Sequence, residues 1–226
     1  MDQYISVNFG RRRIPANFVY FALYASGLYS FLFWKPMTLA AGVLTAPLRS
    51  ALLLAKFASL PFAVRWIVVF VAVDLAGYWA HRMAHANRLL WRFHRVHHSD
   101  ADLGPLTTFR CHVVEVAWRM FARALPLHLL HVDPSSMPIG LFFIPLVLEI
   151  VAHSDLDWNF GWIVGPSYHR VHHSIDAEQS QKNFSMLLTI WDVLFATRAM
   201  PARPERYGLP SDEALPESFV RHLIPV

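Results

Sequence analysis

Eight of the chain's thirteen histidines fall in three short boxes. His81 and His85 form HRMAH. One hexapeptide, HRVHHS, occurs twice, with His94, His97 and His98 in the first copy and His169, His172 and His173 in the second. Residues at i, i+3 and i+4 share one side of an α-helix, because 3.6 residues complete a turn. An HxxxH box therefore presents two imidazoles one above the other. An HxxHH box presents one imidazole with two more a turn away, splayed by about 100° in helix geometry. That splay lets neighbouring histidines serve two different metal ions. Neutral imidazole is the commonest side-chain metal ligand, and it suits iron, zinc, copper and nickel. Histidines mixed with arginine also make solvated basic surfaces or lipid-headgroup patches, and a single HxxH would favour that reading. Three boxes with helical spacing favour a metal site.

Eight imidazoles exceed what one ion needs. A mononuclear catalytic zinc takes three protein ligands, and a mononuclear oxygenase iron commonly uses two histidines and one carboxylate. With His153 as a candidate ninth, the set supplies two ions with four or five ligands each. Soluble di-iron bundles use Glu-x-x-His motifs with bridging carboxylates, and the chain contains no such motif. The expectation is a histidine-only dimetal centre at a membrane surface.

Carboxylates would act behind the ligands, since metal-bound imidazole commonly donates its other N–H to one. Asp74 stands inside an apolar stretch, where a carboxylate is costly and marks a functional site by default. It precedes His81 by seven residues on the same helical face. Glu115 and Asp155 are candidates for the same duty, with Asp192 and Glu149 behind them. His112 is open between ligand, orienting group and helix start, while His128, His131 and His222 read as structural. Arg82, Arg95 and Arg170 are expected to face lipid phosphate or to pair with carboxylates.

The elements that must position these residues are apolar. Of 226 residues, 55% are hydrophobic, 14% aromatic and only 16% charged. Charges this sparse would not cover a water-soluble protein of this size, so a membrane is the expected solvent for much of the chain. The expected fold is all-α, an integral membrane helical bundle with about four membrane segments, formed as one domain over residues 1–226. Residues 1–13 are polar and basic and precede a first span at 14–34, read as a retained anchor rather than a signal peptide. Residues 36–61 are broken by Pro36, Pro47, Arg49, Lys56 and Pro61 and suit an interfacial helix or partial hairpin better than a span. Residues 62–80 make the next span, and box one begins directly after it. Residues 113–131 and 137–152 form a helical hairpin around a turn at Asp133 and Pro134. Residues 183–197 are amphipathic and expected beneath the metal site, and 198–226 read as a cytoplasmic tail.

Arg11, Arg12 and Arg13 before the first span, and Arg82, Arg88, Arg92, Arg95, Arg170 and Lys182 around the boxes, put those regions on the cytoplasmic side. All three boxes and His153 then share one face. Nucleic acid is a poor partner, because the basic residues form no single stripe. Cys111 is the sole cysteine, which excludes an intrachain disulfide and a thiolate cluster. The segments around the two hexapeptides differ, so the hexapeptide is one chemical solution used twice rather than a structural repeat.

In order, these segments resemble the fatty acid hydroxylase superfamily, also called the sterol desaturase family, of integral membrane di-iron oxygenases. Asp74…Tyr78-Trp79-Ala80-His81-Arg82-Met83-Ala84-His85 resembles its Asp…Tyr-Trp-x-His-Arg-x-x-His segment, and the hexapeptides resemble its two HxxHH boxes. Arg110-Cys111-His112-Val113-Val114-Glu115 resembles Arg-x-His-Pro-x-Glu, with Val113 where proline is usual. His153-Ser154-Asp155 resembles His-Ser-Asn. Asn183-Phe184-Ser185 and Trp191-Asp192 resemble Asn-Phe-Gly…Trp-Asp, with Ser185 replacing glycine. The likeness covers roughly residues 70–198. It implies two iron ions held by the box histidines and His153, O2 as co-substrate, and hydroxylation or desaturation of an apolar C–H bond in a membrane lipid such as a sterol or fatty acyl chain. A separate electron donor of the reductase, ferredoxin or cytochrome type is implied too. Two other classes compete: a histidine-rich metal transport or binding protein, and a metal-dependent lipid hydrolase. Transport would need polar groups along a path through the bilayer, whereas the boxes lie outside the spans. A hydrolase has no use for so many imidazoles.

Overall fold

The computed structural model describes residues 16–133, 136–200, 202–215 and 219–224. The basic cluster Arg11–Arg13, the turn residue Pro134 and parts of the tail lie outside the described residues. Every named element among the described residues is helical, and the only strand-like pairings are isolated bridges.

The first apolar segment departs from the expected span over 14–34. Helix α1 (Ala16–Ala25) ends where Gly27 takes φ +73°, a left-handed conformation that suits a residue without Cβ. The long helical run comes next, from Ser30 to Leu48, nineteen residues, with α2 (Lys35–Thr45) at its centre. Pro36 does not break this run, because a π-helical turn over Ser30–Trp34 precedes it. The wider turn relieves the clash between a proline ring and the carbonyl one turn back. Pro47 sits in a closing 3₁₀ turn, Ala46–Leu48. The 36–61 region is therefore the end of one long helix, a break at Arg49, and a short α3 (Ala51–Ala58).

Helix α4 (Phe62–Ala86) carries the second expected span onward for two more turns, so that His81 and His85 stand on the same continuous helix. Ser30–Leu48 and Phe62–Ala86 are the two described helices long and apolar enough to cross a membrane. Their apolar windows are only 11% and 17% buried inside the protein. Their apolar side chains thus face outward, the reverse of a soluble core helix.

Helix α5 (Arg88–His98) starts at Asn87, whose side chain accepts the N–H groups of Leu89 and Leu90 at 2.9 and 3.1 Å. Helices α6 (Val113–Leu129) and α7 (Ile139–Ala152) are the two arms of the expected hairpin, but α6 packs its length against α2 and α4 and meets α7 through ion pairs. Arg119 and Arg123, charges in an otherwise apolar arm, face protein: both donate to Glu149 Oε1 on α7, at 3.0 and 2.8 Å. Helix α8 (Pro166–His172) follows a tight hairpin loop, and short helices α9 (Ala177–Ser180) and α10 (Ile190–Leu194) bracket a turn-rich strap. The tail is no free extension. Glu213 accepts the Trp91 indole N–H at 3.0 Å, and His222 of α11 (Phe219–His222) bonds Tyr20 of α1 at 3.0 Å.

Gly165 closes the hairpin before α8. A Cβ there would stand 2.9 Å from the Trp158 carbonyl oxygen and 3.3 Å from the Phe160 nitrogen, and the Gly165 carbonyl accepts the His169 N–H at 3.0 Å. Gly165→Ala is expected to cost about 1–3 kcal/mol through overpacking and to loosen box three. Thermal unfolding in detergent checks this, and an unchanged melting temperature would show that the hairpin yields freely.

Candidate metal centre

Four elements bring the histidines together. The last turns of α4 supply His81 and His85, α5 supplies His94, His97 and His98, and His153 caps α7. Helix α8 supplies His169 and His172 and ends on His173. All are buried except His85, which lies at the edge. They sort into two groups, His81, His85, His94, His98 and His172 in one, and His97, His153, His169 and His173 in the other. Within each group the ligand nitrogens all lie within 4.8 Å of one another. Each hexapeptide divides itself between them: the first gives His94 and His98 to one group and His97 to the other, and the second gives His172 to one and His169 and His173 to the other. The 100° splay of adjacent helical positions produces this division. The groups adjoin, with the His98 ring of one 4.6 Å from the His173 ring of the other, and the His94 ring 5.5 Å from that of His97.

The donor atoms suit metal ions. In the larger group the Nε2 atoms of His81, His85, His94, His98 and His172 are all buried with no hydrogen-bond partner. So many orphaned buried nitrogens in one place are costly without an ion to face. In the smaller group Nε2 atoms are 3.2 Å apart between His153 and His97, and 3.1 Å apart between His169 and His153 and between His173 and His169. Nitrogens each about 2.1 Å from a shared ion would be spaced by roughly 3.0–3.4 Å at ordinary coordination angles.

Electrostatics agree. Burial, reinforced by neighbouring imidazoles, holds His97, His98, His169 and His173 well below the ordinary histidine value. Burial also brings His153 down to about 4 and His172 to about 3. These rings are neutral at pH 7, the form that binds metal.

The outward nitrogens of His81, His94, His153 and His172 are held by the surroundings, whereas the Nδ1 atoms of His97, His169 and His173 are buried with no hydrogen-bond partner. Glu115 Oε1 takes His94 Nδ1 at 2.8 Å. Backbone carbonyls take the Nδ1 atoms of His81 (Phe184, 2.8 Å), His172 (Lys182, 2.8 Å) and His153 (Glu149, 2.8 Å). Thr108, which no sequence motif marks, places its hydroxyl 3.0 Å from His153 Nδ1. An Nδ1–H given outward leaves the Nε2 lone pair facing inward.

Two candidate carboxylates go elsewhere. Asp74 meets no imidazole: its Oδ2 accepts the Leu188 N–H at 3.1 Å and the Trp191 indole N–H at 2.8 Å. It pins the strap to α4, and the strap's Phe184 carbonyl then holds His81. Asp155 is 70% exposed and pairs with Arg203 at 2.6 Å and Arg170 at 3.6 Å, because the chain turns outward after His153. Asp192 accepts the N–H groups of Phe184 and Ser185 at 2.8 and 2.9 Å, and the hydroxyls of Tyr168 and Thr197. His112 belongs to neither group and starts α6, its Nδ1 accepting the Val114 N–H at 3.0 Å. Arg170 is buried and held by the Leu156 carbonyl and Asp157. Arg82 bonds the Tyr78 hydroxyl and lies over the Trp79 ring.

Residues 66–197 match the family model described as fatty acid hydroxylase. The chain belongs to the fatty acid hydroxylase family. Among relatives in that family, it is 33% identical to human alkylglycerol monooxygenase over 150 residues, 64% of this chain and 33% of the relative. It is 34% identical to the alkylglycerol monooxygenase of Danio rerio over 161 residues, 68% of this chain and 35% of the relative. With ornithine lipid hydroxylase OlsE of Rhizobium tropici it shares 28% over 169 residues, 72% of this chain and 50% of that one. The chain thus spans a third to a half of the length of these curated relatives. No solved structure matches it.

Two outcomes follow from this geometry. Glu115→Gln keeps shape but weakens the acceptor behind His94, so metal retention should fall by about 10–100-fold with the fold intact. Competition with a chelator measures this, and retention equal to the parent protein would detach Glu115 from the metal site. Histidines whose folded pKa is depressed contribute stability above their unfolded value of about 6.5, and lose it as pH falls. The metal-free protein should therefore melt at lower temperature as pH falls from about 6.5 towards the values of His153 and His172, about 4 and 3. A flat melting profile across that window would contradict burial of neutral imidazoles.

Proposed function

We propose that this chain is a membrane-embedded, O2-dependent oxygenase that uses two iron ions to hydroxylate or desaturate an apolar C–H bond of a membrane lipid, such as a sterol or fatty acyl chain. The observation that carries the reading is the pair of adjoining, all-histidine groups, one of five ligands and one of four. Neither group contains a carboxylate, which argues against a hydrolytic two-metal site built on bridging acids. The names of the relatives, two monooxygenases and a hydroxylase of lipids, support the same reaction class.

His81, His85, His94, His98 and His172 would hold one ion, and His97, His153, His169 and His173 the other. Two irons would supply the activation of O2 needed to attack an unactivated C–H bond. The protein's own residues prepare the place. His81 and His94 from one group and His97, His153 and His169 from the other line a common cavity of about 30 Å³. Gly77, Ala80 and Ala84 of α4 form one wall, with Trp118 and Met186 also lining it. A space of this size admits small molecules one or two at a time, with the α4 wall on one side and Glu115, Arg119, Arg123 and Glu149 also among its lining. Glu115 and the strap carbonyls keep the imidazoles turned toward it.

The outward apolar surfaces of Ser30–Leu48 and α4 support two membrane crossings, and the α6–α7 hairpin supplies the other two of four membrane segments. Arg82, Arg88, Arg92, Arg95 and Lys182 crowd the metal face, which the positive-inside rule assigns to the cytoplasm. A separate electron donor would reach the metals from that side.

Purified protein should carry two irons per chain and consume O2 only with lipid and a reductant, giving a product heavier by one oxygen or lighter by two hydrogens. His98→Ala and His173→Ala, one from each group, should each abolish turnover. One ion per chain would sink the dinuclear reading, and lipid cleavage without O2 uptake would sink the oxygenase.

A further inference from the structure

The loop between α7 and α8 turns an aromatic edge outward. Residues 158–163 read WNFGWI, and Trp158, Phe160, Trp162 and Ile163 are all exposed, Trp162 at 70%. Val193 and Leu194 of α10 are exposed too, Leu194 at 63%. Large apolar side chains exposed together on one loop mark an interaction site.

This loop is tightly bonded. Phe160 pairs with Ile163 across the turn at Gly161, and Ile163 pairs with Leu188 of the strap. Thr189 donates its N–H to the Trp162 carbonyl and its hydroxyl to the Gly161 carbonyl, both at 3.0 Å. Asn159 Oδ1 accepts the Gly161 N–H at 3.0 Å, and the Ser167 hydroxyl donates to the Trp158 carbonyl at 2.8 Å. Side chains here occupy backbone groups that water satisfies at an ordinary surface loop. Non-helical backbone needs such internal partners where water is scarce.

Asp74 sets the level of the loop. The same Leu188 that pairs with Ile163 donates its N–H to Asp74 Oδ2 at 3.1 Å, and the Trp191 indole joins at 2.8 Å. Asp74 precedes His81 by seven residues, about 10 Å along the helix axis, within the apolar stretch of α4. The aromatic edge is therefore held beside the apolar part of α4 rather than beside the histidines. Before the loop, Asp155 and Asp157 pair with Arg170 and Arg203. That ion-pair cluster is the water-side limit.

We propose that residues 158–163, with Val193 and Leu194, form a wedge that inserts into the membrane leaflet beside the metal centre, so that the partner of this surface is lipid. Tryptophan suits that place, since its ring prefers the boundary between headgroups and chains. The proposal rests on the reading that α4 crosses a membrane, and the test separates the two.

Nitroxide labels are placed on single cysteines introduced as Trp162→Cys, Leu194→Cys, Ile67→Cys and Glu178→Cys, in full-length protein in phosphatidylcholine–phosphatidylglycerol vesicles. The native Cys111 is buried, only 4% exposed, and stays out of reach of the reagent. Ile67 projects outward from α4 and Glu178 lies on an exposed turn after box three. Labels at 162 and 194 should collide with O2 more than with a water-soluble nickel complex, as at 67, whereas 178 shows the reverse order. Two positions guard against a label that disturbs the loop. If 67 behaves as expected while 162 and 194 follow 178, the wedge fails alone. If 67 also follows 178, the membrane reading fails and takes the wedge with it. Shielding of 162 from both reagents, with mutual broadening between labelled copies, would assign the edge to a contact between chains and overturn the proposal.

Discussion

Much of the structure depends on one constraint: buried neutral imidazoles must keep a lone pair facing inward, and for four of them the outward nitrogen is given a partner that fixes this. Glu115 meets that need for His94, and carbonyls of Glu149, Lys182 and Phe184 meet it for His153, His172 and His81. The Glu149 carbonyl is part of α7, but those of Lys182 and Phe184 belong to irregular chain, which must itself be fixed. Asp192 does much of this. Its two oxygens gather the N–H groups of Phe184 and Ser185 with the Tyr168 hydroxyl of α8. Asn183, next to them, takes φ +56° and bonds the Tyr168 carbonyl. One carboxylate that touches no histidine thus registers box three against the support of box one.

The doubled hexapeptide has a further effect on the centre. Because each copy contributes to both groups, α5 and α8 each span the boundary between them. Neither helix can rotate to improve one group without displacing a histidine of the other. His98 and His173, nearly parallel with rings 4.6 Å apart, pack across that boundary. The two groups are mechanically one unit, while box one belongs wholly to the first group and His153 to the second.

The histidine groups are legible in the sequence because residue type and helical spacing together determine which side chains can converge. Helix α4 and the two arms α6 and α7 are legible for a similar reason, since long apolar runs announce themselves. Gly27 is harder. A hydropathy window over 14–34 sees an uncharged run and not the left-handed turn inside it. Pro36 misleads in the opposite sense, because the π-helical turn that accommodates it leaves no compositional trace. Asp74 shows a different limit: burial flags a carboxylate as unusual, yet its donors come from residues more than a hundred positions away. Asp155 follows His153 by two residues, but the turn after α7 sends its side chain to the surface. Carbonyl partners such as those of Lys182 and Phe184 are invisible beforehand, because every residue has one. Ser185, which stands where the resembling segment has glycine, is fully buried without a positive φ, so this backbone does not require glycine there.

The bond between Asp74 and Leu188 joins positions 114 residues apart, and this imposes an order on biosynthesis. At ribosomal rates the strap emerges on the order of ten seconds after Asp74. Throughout that interval α4 exists with a carboxylate whose eventual donors have not yet been made. The carboxylate meets its native donors only once Leu188 and Trp191 have been made, so the docking of the strap on α4 is a late event in synthesis.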